Sequence, residues 1–331
     1  MYQGSSGGAG IVPLESRGRI IGCSSTPRLA KMLGWKYSKM SALDVSRDMS
    51  ENHARPLSRE FVQSVSSKVA DIAADKEFEW TYDVPDLPEV VTHISIGRDG
   101  TTVPIVKGGY REAMNGTISL YDNAGERMHT IYATCAPEYG KKTFDMVLDM
   151  EIGQIKAKFP NVKYIGSGDG SKDNWTYLDN RTDVGILDFW HATTYLSNVS
   201  AATGKKDPKE WLEDACHDLK HKPKGAKKLL KEMKHCLSKD DGSYQDVLQT
   251  SITYFQNNLH RMDYARYVKM KYPIGSGVTE AACKVMVKQR LCGSGMKWII
   301  PNTENMFLLR GLVLTEGRWE QFWKNIDTKG L

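Results

Sequence analysis

The stretch "NVKYIGSGDGSKDNWTYL", residues 161–178, decides how the rest of the chain is read. It has the order strand, glycine turn, helix. A turn of that kind either cradles a phosphate at a helix N-terminus or holds out a carboxylate, here Asp169, to a cation. Glycines 166, 168 and 170 alternate, so the G-x-G-x-x-G fingerprint is not met, and no lysine follows at Walker spacing. The same Gly-Ser-Gly turn recurs at 275–277, again just before a carboxylate, Glu280.

Upstream of this stretch the signal is strand-like. "VVTHISIGRDG", "TTVPIVKGG", "NGTISLYDN" and "RMHTIYATC" are punctuated by Gly and Asn/Asp and read as antiparallel neighbours. A helix is predicted over roughly 142–158, with Phe144, Val147, Leu148, Ile152 and Ile155 at helical period. Downstream come a short helix near 172–178, the strand "VGILDF", a polar helical segment from His191 to about Lys271, and a helix from Thr279 to about Leu291. The expected fold class is therefore α/β, with the chain order of a ribonuclease-H-like mixed sheet carrying an all-helical insertion.

The N-terminal part reads differently. Thr26-Pro27 is an N-cap followed by proline at the first helical position, Ser41 opens a second helix with Asp44 as capping partner, and Ser58 caps a third. The second and third helices form either a helix-turn-helix, offering Arg59, Gln63 and Lys68 to DNA, or an ordinary three-helix packing unit. "DVPDLPEVV" reads as a linker. The expected division is a flexible segment 1–25, a helical DNA-binding region 26–84, a catalytic domain made of 85–191 and 273–331, and a helical insertion 192–272.

Composition sets limits. The chain has 331 residues, 40% hydrophobic and 26% charged, which suits a globular protein with a real core. No apolar run approaches a membrane span. The Gly/Ser-rich start lacks the order of a signal peptide, so a cytoplasmic location is expected. Net charge is only +5, but residues 220–239 hold eight lysines against Glu232. That run, with Lys224, Lys227 and Lys228, either neutralises phosphates or is a solvated helix face. The six cysteines form no C-x-x-C pair. Cys216, His217, His221, His235 and Cys236 are the nearest thing to a zinc cluster, and their spacing fits no standard pattern.

The carboxylates carry the chemistry. Asp99 ends the first strand in "GRDG", Asp169 ends the fourth, and Glu280 lies in the first turn of the late helix. In this architecture strands one and four are neighbours, and the late helix crosses the same end of the sheet. Converging carboxylates need a cation, and hard divalent ions with water and phosphate oxygens suit them. Two Mg²⁺ (or Mn²⁺) ions can activate an attacking oxygen and stabilise a leaving one, so the implied substrate is a phosphodiester. Both Gly-Ser-Gly turns then read as close-approach backbone that leaves room for metal and DNA. Asp173, Asp179 and Asp183 fall beyond the strand end. Asp188-x-x-His191 follows the fifth strand; His191 either touches a phosphate, positions the metal site, or is buried against Asp188. Lys284 and Lys288 follow Glu280 at intervals of four and either hold DNA backbone or are simply solvated.

The segments "TPRLAKMLGWKYS", "ENHARPLSREFVQ", "GYREAMNGTISLYDNAGERMHTIYATCAPEYGKKTF", "DGSKDNWTYL", "ILDFWHATTYL", "WLEDACHDLKH", "YPIGSGVTEAACKVMVKQRL" and "SGMKW" resemble those of ISKra-type insertion-sequence transposases. The resemblance runs from about Val12 to Trp323. It implies a bacterial DNA transposase with Asp99, Asp169 and Glu280 as metal-binding triad and Asp188 and His191 as the D-x-x-H motif shared with Mutator-like enzymes. It further implies double-stranded DNA as partner, both element ends and target, and a homodimer or higher oligomer on DNA. A nuclease that does not join, and a DNA-binding relic without chemistry, are the alternatives. Many members carry Ala-Asp-Gly-Ala where this chain has Gly168-Asp169-Gly170-Ser171. Many also have a longer N-terminal region, so part of the end-recognition apparatus is expected to be missing.

Overall fold

The computed structural model describes residues 21, 25–76, 79–204 and 206–329. The expected N-terminal segment 1–25 lies outside them apart from Ile21 and Ser25. The chain is a mixed α/β structure around one five-stranded sheet of order β3-β2-β1-β4-β5. Strands β1 (His93–Ile105), β2 (Gly109–Tyr121) and β3 (Arg127–Thr134) are antiparallel neighbours. Strands β4 (Lys163–Gly168) and β5 (Val184–Leu187) run parallel to β1.

The N-terminal helices start where their caps predict. The Thr26 hydroxyl accepts from Leu29 N at the start of α1 (Pro27–Lys39). Ser41 caps α2 (Ala42–His53) and donates to the Asp44 carboxylate at 2.6 Å. Ser58 accepts from Phe61 N ahead of α3 (Arg59–Lys76). Their apolar side joins Leu309, Trp319 and Phe322, from the last two helices, α13 (Ile300–Leu314) and α14 (Arg318–Lys329), in one hydrophobic cluster. The expected linker is packed down: Tyr82, Val84 and Val91 are buried, and the Tyr82 hydroxyl donates to Glu316 O at 2.6 Å. Two buried valines within the nine residues, with Tyr82 just before them, hold the segment on the body.

Two faces of the sheet are covered. Helix α4 (Lys142–Lys158) puts Phe144 and Leu148 into the core with Ile96 and Ile118. A Cβ at Gly116 would meet Leu148 at 2.8 Å, and one at Gly166 would meet Thr182 and Leu178, so α4 and α5 (Lys172–Leu178) share that face. The opposite face carries α11 (Gly277–Ala282), which continues through a π-helical stretch, Cys283–Lys288, into a last α turn, α12 (Gln289–Leu291). Beyond β5 follow α6 (Phe189–Val199), α7 (Pro208–His221), α8 (Gly225–Leu237), α9 (Gln245–Asn258) and α10 (Tyr264–Lys269), all helical as read. Among the described residues no helix is long and apolar enough to cross a membrane.

Candidate active site

The sheet register brings two aspartates together. Gly97 of β1 lies opposite Ser167 of β4. Asp99 and Asp169 each stand two residues further on, and alternate residues of a strand share a face. Asp99 is not at a strand end, as the Asp-Gly pair suggested. β1 runs on to Ile105 because β2 pairs with it over its whole length, and only the parallel ladder to β4 stops at Gly97. Asp99 thus emerges where its neighbour on one side falls away.

Gly97 also admits the third element. A Cβ there would lie 1.9 Å from Thr279 Oγ1, so only glycine lets α11 cross β1 this closely. The Thr279 and Thr117 hydroxyls bond at 2.8 Å beneath the crossing. Glu280, next along the helix, is delivered to the end of the sheet. The electrostatics agree: the Asp99 carboxyl is pushed above its ordinary range, first by burial, with the negative charges of Asp169 and Glu280 adding to it.

Each carboxylate keeps capacity for a cation. Asp99 Oδ1 accepts from Gly100 N, while Oδ2 meets only the Cys283 thiol at 3.6 Å. That thiol is pushed up to about 12 by burial and by Asp99, so it stays protonated and donates. Asp169 Oδ1 accepts from Ser171 N at 3.0 Å and, at 3.5 Å, from Asn174 Nδ2. Its carbonyl accepts from the Tyr254 hydroxyl, whose ring stacks on Tyr195 of α6 at 3.8 Å. The helical insertion therefore braces the Asp169 turn. Gly170, at φ +98°, sits against that ring, and Gly166 makes way for α5. These glycines serve packing, whereas a Cβ at Gly275 would meet Trp190 at 3.3 Å and Asp188 Oδ2 at 3.5 Å. Side chains thus occupy the space beside Gly166, Gly170 and Gly275, while a Cβ at Gly277 would meet nothing within 4 Å.

Asp188 is wholly buried and fully engaged. It caps α6 through His191 N at 2.6 Å and accepts from Ser276 N and, at 2.8 Å, from Ser276 Oγ. Ser276 Oγ is also 2.8 Å from Glu280 Oε1. The serine thereby links the buried anchor to the third carboxylate, a role the sequence reading missed. His191 is the reverse of a buried histidine: its side chain is 47% exposed and Nε2 lies 3.8 Å from Glu280 Oε1. Asp188, His191 and Glu280 place one ligand atom each within 4.8 Å of one another, a group that can hold a metal ion. It is the one such group among the described residues.

Other candidates are accounted for by structure. Asp173 is tied to Arg98 and Lys141, Asp179 to Arg261 at 2.5 Å, and Asp183 accepts from Tyr164 N. The rings of His217 and His221 lie 5.0 Å apart, but no three of Cys216, His217, His221, His235 and Cys236 bring ligand atoms within 4.8 Å of one another, and Cys216 and Cys236 pack against the core. Arg59, Gln63 and Lys68 are exposed along α3, as are Lys224, Lys227 and Lys228 on and before α8. Lys228 has a counter-charge the sequence reading did not foresee, Asp218 at 2.6 Å. Lys284 and Lys288 are exposed, but the π stretch widens the turn between them, so the simple interval of four does not describe their placement. No protein-family model and no curated protein matches this chain.

Proposed function

We propose that the protein is a DNA transposase of the DDE type, cutting element ends and joining the freed 3′-OH to target DNA at one metal-dependent site. The observation that carries this reading is the register: Asp99 and Asp169 follow a directly opposed pair on adjacent parallel strands, and Glu280 reaches the same end over Gly97. The strand order 3-2-1-4-5, with three antiparallel strands and two parallel ones, supports a ribonuclease-H-like assignment of the sheet.

The donor chemistry suits the implied cation, although the ligand atoms that lie within 4.8 Å of one another are those of Asp188, His191 and Glu280 and not those of the three carboxylates. Three carboxylates offering oxygens, with water and phosphate completing the sphere, suit Mg²⁺ or Mn²⁺. Asp99, Asp169 and Glu280 would hold two such ions, and these supply charge neutralisation and activation of the attacking oxygen when bound. The chain's own part is positioning. Asp188 fixes the 275–277 turn through Ser276, and Ser276 and His191 fix Glu280. Tyr254 holds the Asp169 turn from the insertion. Exposed basic residues of α3, α8 and the π stretch contact phosphates, which orient duplex DNA without reading its sequence. Synapsis of two ends implies a dimer or higher oligomer, in a bacterial cytoplasm.

The test supplies element-end DNA with a free 3′-OH, a target plasmid and Mg²⁺ or Mn²⁺, with Asp169→Asn as control. Joined product from the wild type alone is the expected result. Cleavage without joining replaces the reading by a nuclease. Equal DNA binding by both proteins with no chemistry from either replaces it by a DNA-binding relic.

A further inference from the structure

Two arginines in the cluster beneath α1–α3 have no acid beside them. Arg290 and Arg310 are 4% and 5% exposed, and among the described residues no carboxylate lies within ion-pair distance of either. Arg310 is satisfied by backbone: it donates to Met286 O at 2.8 Å and to the carbonyls of Ser38 and Val285. Among the described residues Arg290 is held by Tyr37 alone, to whose hydroxyl and backbone carbonyl it donates. Its Nε donates to Tyr37 O at 3.1 Å, and the guanidinium lies between the rings of Tyr37 and Trp298 at 5.0 and 5.3 Å. Burial holds its pKa below the usual value, and Asp44 acts on it only through distant charge. A buried cation of this kind costs free energy until an anion joins it.

Arg290 lines a cavity of about 300 Å³. Lys297, Gln63 and Asn302 line it too, and Gln63 bonds the Tyr37 hydroxyl. Asn302 belongs to the first turn of α13, a 15-residue helix whose N-cap, Ile299, provides no side-chain hydrogen bond. Pro301 has no N–H and Thr303 N is bonded to Ile299 O, so the amides of Ile300 and Asn302 are the ones open to an anion, and the helix dipole favours one there. Trp298 makes the wall rigid: its N donates to Pro104 O and its carbonyl accepts from Val106 N, both at the end of β1.

We propose that this cavity binds a phosphate group, with Arg290, Lys297 and the first turn of α13 as its donors. Resting on the transposase reading, the group is a backbone phosphodiester of DNA bound between α3 and the catalytic end. Arg290 lies ten positions beyond Glu280, across α11, the π stretch and α12, at most about 15 Å along the axis. That is roughly four base-pair steps of a duplex. Lys284 and Lys288 are exposed between the two points. Gln63, on the reading face of α3, would then be held in register with the scissile phosphate.

The test uses the full chain in EDTA on an Asp169→Asn background, so catalysis contributes nothing. Inorganic phosphate and a short duplex are the two probes. Asn302→Asp puts a negative charge into the cavity yet suits a helix first turn, so the fold is kept; Lys297→Ala removes an exposed donor. Inorganic phosphate should raise the melting temperature relative to chloride at equal ionic strength, and Asn302→Asp should abolish the rise. Duplex affinity should fall about tenfold in either variant, with the salt slope reduced by about one. No response of the parent to phosphate, or the same response in Asn302→Asp, overturns the pocket. A phosphate response lost in Asn302→Asp with unchanged duplex affinity keeps the pocket and overturns DNA as its occupant, whatever the joining assay gives.

Discussion

Two aspartates occupy equivalent places in the sheet and do opposite work. Asp169 follows β4 and Asp188 follows β5, each just before a helix on the same edge. Asp169 is partly exposed, and one of its oxygens has no donor among the described residues. Asp188 has no exposed surface and accepts from three donors on two segments. The difference lies in what packs over each strand end. The turn carrying Ser276 closes on Asp188, whereas only a tyrosine hydroxyl reaches the backbone of Asp169. A carboxylate whose lone pairs are filled by the protein holds the turn together, and one with an oxygen left open keeps capacity for a ligand.

The contrast breaks most visibly in a paired substitution. Asp188→Ala should cost about 3–5 kcal/mol in chemical denaturation, since it orphans buried donors and removes a helix cap. Asp169→Asn should leave stability within about 0.5 kcal/mol and lower strand transfer by about 10³-fold. Equal stability losses would erase the distinction. Gly97→Ala comes next: its methyl collides with Thr279, so α11 must shift, at about 1–3 kcal/mol. Metal-dependent cleavage should fall with it, because Glu280 rides on that helix, and retained cleavage would show that the crossing does not position Glu280.

His191→Gln sharpens the account of how Glu280 is held. The backbone bond from residue 191 to Asp188 survives, so the melting temperature should hardly move while cleavage drops about 10- to 100-fold. The smallest effect concerns pH. Asp99 has a raised pKa in the folded chain, so the folded state retains its proton longer than the unfolded state. Its ionisation therefore lowers stability as pH rises from the ordinary carboxylate range through the raised value. In EDTA, Asp99→Asn should be slightly more stable than the parent near pH 7. That gain should shrink as pH falls towards the ordinary carboxylate range; a gain that grows on acidification would contradict the shift.

Much of this was readable from residue patterns. Helices α1–α3 begin at Thr26, Ser41 and Ser58 because side-chain caps are local chemistry, and α4 keeps its apolar period from Phe144 to Ile155. Asp169 and Glu280 stand out in the sequence because glycine turns precede them. What escaped depends on distant partners. The continuation of β1 past Asp99-Gly100 is dictated by β2, which local turn signals do not register. The Ser276 bridge joins residues 88 apart in sequence, and Arg290 resembles an ordinary surface arginine until Tyr37 and Trp298 close around it. The π stretch has no residue signature at all here.

The hydrophobic cluster that unites α1–α3 with α13 and α14 sets a timetable. Helices α1–α3 find part of their apolar cover, Val103, Ile105 and Ala113, in β1 and β2, and the rest only in the much later α13 and α14. Loop closure over that span is slow compared with local helix formation. A chain stopped before α13 would leave part of the stripe of Leu33, Val45, Val62 and Val69 uncovered, open to chaperones and proteases, while its sheet was already complete. Synthesis through α14 thereby becomes a condition for completing the cover of the segment that carries Gln63, and with it the Tyr37 wall of the Arg290 cavity.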